Sequence, residues 1–413
     1  MAIEISPKTD ELIYKWPGYS FNEGKELRCL STDLRDGLQQ PGIHQPTFNE
    51  SVFILQGNLA LGVHDIELGF PANDSQRERA VALASYMRRE GLPVQASCLA
   101  RTIESDIDSI VQVADALGEP VEVILILGSS KIRQLIQNWN VSQMEEWTRE
   151  CVNYAIDRRL TVNYLTEDGT RTDPGTLKLL YSAAIEEGAH RVTLADTVGI
   201  ANPPMVRRIT ELFQEIIKGS NPSVGMDFHP HNDKRLANAN AMTSLEAGAE
   251  RIHTTMHGGI GERAGNVDLF ALLVEAHENG IYPHDLSKMM EVSRLSAQIF
   301  NVQIAPNQPV VGRNAHATMT GMHADAIKKA LDMGRPDLAS LVYAPYPAEL
   351  VGQEIRIDVG PLSGRANIEV ALQRIGVEAT ENSIVAIEKL IQKNGGVLDD
   401  SEITLCLQKN DLV

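Results

Sequence analysis

The chain has 413 residues, 43% of them apolar and 22% charged, which is an ordinary composition for a globular protein. Its length exceeds what one hydrophobic core usually holds, so we expect one large domain and a smaller one. The formal net charge of −18 argues against nucleic acid and anionic membrane surfaces as partners, because both require clustered Lys and Arg.

Cysteine usage and the N-terminal segment indicate the compartment. The four cysteines are widely scattered and form no C-x-x-C pair, which favours free thiols in a reducing environment over a disulfide framework or a zinc ribbon: Cys29, Cys98, Cys151 and Cys406. The segment MAIEISPKTDELIYKW lacks the apolar run of a signal peptide, and no stretch approaches the length of a membrane span. We therefore expect a cytoplasmic protein.

From residue 27 to about 280, short β-branched runs alternate with longer segments of helical periodicity. The strand candidates, in chain order, are LRCLSTD, HDIELGF, PVQASCLA, VEVILIL, TVNYLTE, RVTLADT, SVGMDFH and RIHTTMH. Eight strand–helix units over roughly 250 residues predict an α/β fold of the (β/α)8 TIM-barrel type. A doubly wound open sheet is the alternative, but eight consecutive units favour closure.

After about residue 281 the pattern changes. YPHDLSKMMEVSRLSAQIF predicts a helix, PNQPVVGRNA a Pro- and Gly-rich linker, and GMHADAIKKALDMG and ANIEVALQRIGV further helices. We therefore predict a smaller, mainly helical C-terminal region. The expected divisions are an N-terminal extension at 1–26, a catalytic barrel at 27–280, a helical linker subdomain at 281–330 and a small C-terminal subdomain at 331–413.

Residues typical of a metal site follow three of the predicted strands. His229 and His231 are two apart on one strand and so share a face, which lets both imidazoles reach one cation. An isolated H-x-H is a weak signal, because buried structural histidines are common. Asp36 follows the first strand and Asn266 ends the Gly-rich segment HGGIGERAGN after the eighth. In a closed barrel these strands are neighbours, so the four side chains could surround one zinc, magnesium or manganese ion.

Several ordered motifs extend this interpretation. LRDG, LGFPA, TEDGTRTD, ADTVG, HPHND and GIGERAGN resemble the 2-isopropylmalate synthase family, which includes homocitrate and citramalate synthases and, more distantly, 3-hydroxy-3-methylglutaryl-CoA lyase. The resemblance covers about residues 27–275 strongly, and GMHADAI and VYAPYPAELVG more weakly. It implies a transferase of amino-acid biosynthesis, a homodimer that condenses acetyl-CoA, its co-substrate, with a 2-oxo acid in a Claisen-type reaction.

The resemblance also implies roles for individual residues. Arg35 would stabilise the alkoxide that develops on the keto oxygen, and Glu167 would act near the acetyl methyl group. Thr197 matches the threonine that contacts the carboxylate of the oxo acid, and Gln39 belongs to the same substrate-binding set. His323 and Tyr343 match a C-terminal pair that transfers protons from a partner subunit. The family pattern does not use His253 or His257, near strand eight, as ligands.

Three positions depart from the family pattern. Ile124 replaces a histidine, Leu165 a serine and Thr193 an asparagine, all at positions that line the oxo-acid pocket in the family. Two of the three are apolar, so we expect a pocket for a 2-oxo acid with an apolar tail, such as 2-oxoisovalerate or the bulkier phenylpyruvate.

Other functions stay open at this point. A homocitrate or citramalate synthase would differ only in the oxo acid. A lyase would run carbon–carbon cleavage, but the reactive cysteine of the G-G-C-P loop is absent from GGIGERAGN. A metal-binding barrel without condensing activity is a third reading, which Arg35 and Glu167 disfavour.

Overall fold

The computed structural model of the chain describes residues 12–413. Its main feature is a closed parallel barrel of eight strands taken in sequence order, with the first strand paired to the eighth from Arg28↔Arg251 to Ser31↔Thr254. The strands are β1 Arg28–Ser31, β2 Asp65–Glu67, β3 Gln95–Arg101, β4 Glu122–Gly128, β5 Thr161–Glu167, β6 Arg191–Asp196, β7 Gly225–Pro230 and β8 Arg251–Thr255. A two-residue strand, β9 Val267–Asp268, pairs with β8. The predicted (β/α)8 barrel is confirmed.

Helices connect consecutive strands on the outside of the barrel. They are α1 Phe48–Ala60, α2 Asp74–Glu90, α3 Glu104–Leu117, α4 Lys131–Gln137, α5 Val141–Asp157, α6 Pro174–Glu186, α7 Pro203–Ser220, α8 Ala237–Ala247 and α9 Leu269–Glu278. Their boundaries have local causes. Asp173 accepts a hydrogen bond from the backbone of Thr176 and precedes Pro174, which needs no hydrogen-bond partner at a helix start. Gly91 ends α2 in the left-handed region, with φ 61°.

The barrel interior changes from polar to apolar along its axis. Near the N-terminal ends of the strands, three arginines pair with three buried carboxylates: Arg28, Arg191 and Arg251 with Asp65, Glu122 and Asp227. Above this polar base lies a buried apolar layer of Leu30, Leu99, Ile124, Leu165 and Ala195, with Phe70 and Ile126 partly buried against it. The polar side chains described next stand at the C-terminal ends of the strands, where barrel enzymes place their chemistry.

By contacts, the chain divides into two compact units, and the barrel unit comprises Gly18–Asp285 and Glu291–Gln303. The other contains Leu286–Met290, Ile304–Val413 and, among the described residues, 12–17. Helix α10 Met289–Phe300 belongs to the barrel unit except for its first two residues. The strands and α-helices of the second unit are β10 Ala317–Thr318, α11 Gly321–Asp332, α12 Pro336–Leu341, β11 Arg356–Ile357, α13 Arg365–Arg374, α14 Glu381–Asn394 and α15 Asp400–Lys409.

The predicted divisions of the chain at residues 26, 280 and 330 stay predictions. Position 330 lies inside α11, whose Ala324, Ile327 and Ala330 pack with Ala339 and Ile357 into one apolar cluster. Within the range 281–330, residues 281–285 and 291–303 fall in the barrel unit, and residues 286–290 and 304–330 fall in the other unit. Among the described residues, no helix is both long and apolar enough to cross a membrane.

Candidate active site

Asp36, His229 and His231 form a buried cluster at the C-terminal ends of the strands. The chain leaves β1 and turns into a short 3-10 helix, Asp36–Gln39, which points the Asp36 carboxylate inward with 1% of its side chain exposed. Its Oδ2 lies 3.0 Å from His229 Nε2 and 3.8 Å from His231 Nε2. One ligand atom from each of the three side chains lies within 4.8 Å of the others, so the three can share one cation.

The charge states of this cluster suit metal binding. Burial alone would raise the pKa of Asp36, but Arg35 and the two histidines hold that pKa well below its usual range. Burial lowers the pKa of His229 and of His231 to about 4, against the opposing effect of Asp36. At neutral pH the cluster is therefore one carboxylate with two neutral imidazoles, which are the forms that coordinate metals.

Asn266 completes the cluster from the loop after β8. Its Nδ2 donates to Asp36 Oδ2 at 3.3 Å, while its buried Oδ1 has no hydrogen-bond partner in the described part of the chain. Gly261 has φ +116°, and a Cβ there would lie 1.9 Å from that Oδ1. The glycine thus lets the loop backbone close over the amide. An unpartnered amide oxygen beside a carboxylate and two imidazoles fits a divalent cation, and the four predicted ligands are together.

Arg35 borders this cluster and is held from two sides. Its Nε donates to Glu67 Oε1 at 2.9 Å, and its Nη1 donates to Asp36 Oδ2 and Gln39 Oε1, both at 3.2 Å. Burial raises the pKa of Glu67 to about 7, although Arg35 opposes that shift. Sequence reasoning missed Glu67. The signal was its place in HDIELGF, where a carboxylate stands between buried apolar residues of a predicted strand.

Glu167 and Thr197 lie at the ends of β5 and β6. Glu167 Oε1 lies 3.4 Å from Arg133 Nε, and its side chain is 30% exposed at the barrel mouth. Burial raises the pKa of Glu167, and Arg133 opposes the rise. Thr197 Oγ1 accepts a hydrogen bond from the backbone N–H of Asp168 at 2.7 Å. The side chain of Glu167 is therefore partly open to solvent, whereas the Thr197 hydroxyl is fixed by the backbone.

Comparison with known proteins decides the family. Residues 26–295 match the family described as HMGL-like. The chain belongs to the HMGL-like family. It is 34% identical to a protein named probable 2-isopropylmalate synthase from Methanopyrus kandleri, over 89% of this chain and 70% of that one. It is 32% identical to a protein named homocitrate synthase AksA from Methanothermobacter thermautotrophicus, over 95% of this chain and 94% of that one.

Solved structures agree on the fold. The HMG-CoA lyase from Brucella melitensis superposes with a TM-score of 0.56 at 18% identity, over 67% of this chain and all of that chain. These findings confirm the resemblance drawn from the motifs. Relatives with two different names have nearly equal identity to this chain. The comparison therefore does not show which oxo acid this HMGL-like protein uses.

Two of the three residues that depart from the family pattern lie in the apolar layer. Ile124 is fully buried and Leu165 is 2% exposed, and both pack in the cluster that includes Leu99. Thr193 differs, because its hydroxyl donates to Asn163 Oδ1 at 2.8 Å and is fully buried. The structure thus brings Ile124 and Leu165 together in one apolar layer and ties Thr193 to the polar network around Asn163.

His323 and Tyr343 lie in the C-terminal unit of the HMGL-like chain. Their rings stack with centroids 3.7 Å apart and planes inclined by 21°. His323 Nδ1 is 3.4 Å from Thr318 Oγ1, and 51% of Tyr343 is exposed. The two predicted proton-transfer residues therefore form one pair, on a surface open to solvent.

Proposed function

We propose that this chain condenses acetyl-CoA with a 2-oxo acid that carries an apolar tail. Acetyl-CoA, the oxo acid and water would give a 2-alkylmalate, free CoA and a proton. The observation that most strongly supports this proposal is the buried Asp36–His229–His231 cluster, hydrogen-bonded to Arg35, in a chain of the HMGL-like family. Asn266 adds an unpartnered amide oxygen to the same cluster.

The metal would hold the oxo acid. Asp36, His229, His231 and Asn266 supply the oxygen and nitrogen ligands that zinc, magnesium or manganese accept. A bound divalent cation would polarise the keto group as a Lewis acid. Arg35 already donates toward this cluster, so its guanidinium can hydrogen-bond the keto oxygen as negative charge develops there. Thr197 and Gln39 would orient the rest of the oxo acid's polar head.

Glu167 would supply the base. Its raised pKa improves it as a proton acceptor, and its partly open position lets a substrate methyl group approach. Glu167 takes a proton from the acetyl methyl group, whose carbon then bonds to the keto carbon. The carbonyl electron pair moves to the oxygen beside Arg35. That oxygen is protonated, and water cleaves the thioester to release CoA. We assign the protonation to the stacked His323–Tyr343 pair, contributed by the partner in a homodimer.

The tail preference follows from the apolar layer. The side chains of Ile124, Leu165 and Leu99 carry no hydrogen-bond donor or acceptor, and we propose that the tail of the oxo acid packs against this layer. An apolar tail gains roughly 0.8 kcal/mol per methylene buried there. A charged tail, as in 2-oxoglutarate, would lose its water without a partner. This difference favours a 2-isopropylmalate-type or phenylpyruvate-type reaction over a homocitrate-type one.

A thiol-release assay tests the proposal. The full-length protein is freed of metal, reloaded with Zn²⁺, Mg²⁺ or Mn²⁺, and mixed with acetyl-CoA and one of pyruvate, 2-oxoisovalerate, phenylpyruvate or 2-oxoglutarate. We expect metal-dependent CoA release, with kcat/KM rising as the apolar tail grows from pyruvate to 2-oxoisovalerate. If 2-oxoglutarate is the best acceptor, the tail assignment is wrong. If no oxo acid supports CoA release with any of the metals, the condensation itself is wrong.

A further inference from the structure

His253 lies beside His229 on the neighbouring strand and links it to a buried carboxylate. His253 Nδ1 lies 3.2 Å from His229 Nδ1, and His253 Nε2 lies 3.3 Å from Asp227 Oδ2. His253 and Asp227 are both fully buried. We infer that His253, held by Asp227, is a positioning residue that keeps the proton of His229 on Nδ1 and so leaves Nε2 free for the cation. This inference rests on the metal site proposed above.

The argument begins at Asp227, whose carboxylate can only accept hydrogen bonds. Arg251 Nε donates to its Oδ2 at 2.9 Å, Arg191 Nε to its Oδ1 at 2.8 Å and Asn163 Nδ2 to its Oδ2 at 2.8 Å. An ionised carboxylate has no proton to give. The nitrogen of His253 that faces it must therefore carry the hydrogen.

The next step is the charge of His253. Arg191 and Arg251 already pair with Asp227, the carboxylate that His253 contacts, so an additional positive charge on His253 has no unpaired carboxylate to neutralise there. A fully buried imidazole with no charge to balance is neutral. A neutral imidazole has one donor and one acceptor nitrogen. With the proton on Nε2, His253 Nδ1 accepts, and His229 Nδ1 donates to it.

With a cation bound, His229 is thereby left with an unprotonated Nε2, which is the atom 3.0 Å from Asp36 Oδ2; without a cation, the ionised Asp36 would accept a hydrogen from that nitrogen. Two electron-pair donors then converge on one point of the cluster, as a cation requires. The positions of these residues on their strands explain why the series of hydrogen bonds is continuous. Asp227 and His229 are two apart on β7, and Arg251 and His253 are two apart on β8, so all four face the barrel interior. By contrast, His231 Nδ1 has no hydrogen-bond partner among the described residues.

Metal titration of matched variants tests the inference. His253→Leu removes the acceptor at similar volume, while His253→Asn keeps an amide oxygen near the position of Nδ1. His257→Leu is the control, because His257 is 4% exposed and bonds to Ser296 Oγ at 2.9 Å, and among the described residues it makes no hydrogen bond to a proposed ligand. Calorimetry with Zn²⁺ and with Mn²⁺ on metal-free, full-length protein measures affinity, and thermal unfolding in chelator measures folding separately.

We expect His253→Leu to weaken metal binding roughly 10- to 100-fold, as loss of an outer hydrogen-bond partner usually does. His253→Asn should recover most of that loss, and His257→Leu should bind metal like wild type. Unchanged affinity in His253→Leu, or an equal loss in His257→Leu, would overturn the positioning role. If wild type itself binds neither metal, the proposed function fails, and this inference with it.

The tautomer can also be read directly. In Zn²⁺-loaded protein labelled with ¹⁵N only at its 11 histidines, long-range nitrogen–proton spectra distinguish the two neutral forms. The His229 signals are assigned by their loss in His229→Gln. We expect His229 protonated on Nδ1 in wild type and in His253→Asn, and shifted toward the Nε2 form in His253→Leu. A wild-type His229 protonated on Nε2 would contradict the inference even if every variant folds.

Discussion

At the scale of single residues, the proposed metal centre depends most on Asp36, because that carboxylate contacts both histidines and Asn266. We expect Asp36→Asn or His229→Ala to lose bound metal and to lower turnover by roughly a thousandfold or more, since several kcal/mol of charge stabilisation would go with the cation. Metal analysis and CoA release on folded protein measure both effects. His64→Ala, at an exposed position just before the N-terminal end of β2, is the control and should keep both. Near-native turnover in Asp36→Asn would contradict the metal assignment.

A second prediction concerns Leu165, one of the two apolar side chains at positions that depart from the family pattern. Leu165→Ser places a hydroxyl in the apolar layer and removes hydrocarbon surface from it. We expect the ratio of kcat/KM for 2-oxoisovalerate to that for pyruvate to fall roughly 10- to 200-fold, the range for one or a few apolar groups in a pocket. The control is Val162→Ala on the same strand, which faces away from the interior by alternation. That variant should lose stability but keep the ratio, and an equal change in both variants would argue against a tail contact at Leu165.

At the scale of elements, the loop from Gly258 to Asn266 places the fourth proposed ligand. Gly261→Ala puts a methyl group 1.9 Å from Asn266 Oδ1, at a φ that disfavours side chains, so the amide must move. We expect weaker metal binding, with a larger effect on metal affinity than on the thermal unfolding of metal-free protein. Gly259→Ala is a matched control in the same loop, because a Cβ there meets no atom within 4 Å. Equal metal affinity in the two variants would show that Asn266 is not a ligand of the proposed site.

Which elements the sequence predicted, and which it did not, has a physical explanation. All eight barrel strands were identified, because parallel strands buried on both faces form short apolar runs between helical segments. The helices α14 and α15 were not singled out. The sequence alone could not show the roles of Glu67 and His253. Each depends on a partner from another strand, and which interior residues meet depends on the stagger of the strands around the barrel. Thr193 could not be placed beside Asn163 without that register.

At the scale of the whole molecule, buried neutral histidines predict acid sensitivity. Burial lowers the pKa of His257 to about 4 from an unfolded value of about 6.5. Between these values the unfolded chain binds a proton that the folded chain does not, so stability falls as pH drops from 6.5 toward 4. His257 alone should cost about 2 kcal/mol at pH 5. Urea unfolding of metal-free protein at pH 7 and pH 5 measures the difference, which should be smaller in His257→Gln. The same pH dependence in both proteins would mean that His257 is not the cause.

The closure of the barrel by β1 and β8 has a consequence for how the protein is made. Asp36 and Asn266, which touch in the finished fold, are separated by 230 positions in the chain. At about 5–20 residues per second, a ribosome needs roughly 12 to 46 seconds to travel that distance. Until β8 emerges and pairs with β1, the nascent chain holds Asp36 without its partners. Capture of the proposed cation would therefore be a late event in biosynthesis, and the unpaired strand edges of an unclosed sheet are exposed for most of that interval, when protection by chaperones matters most.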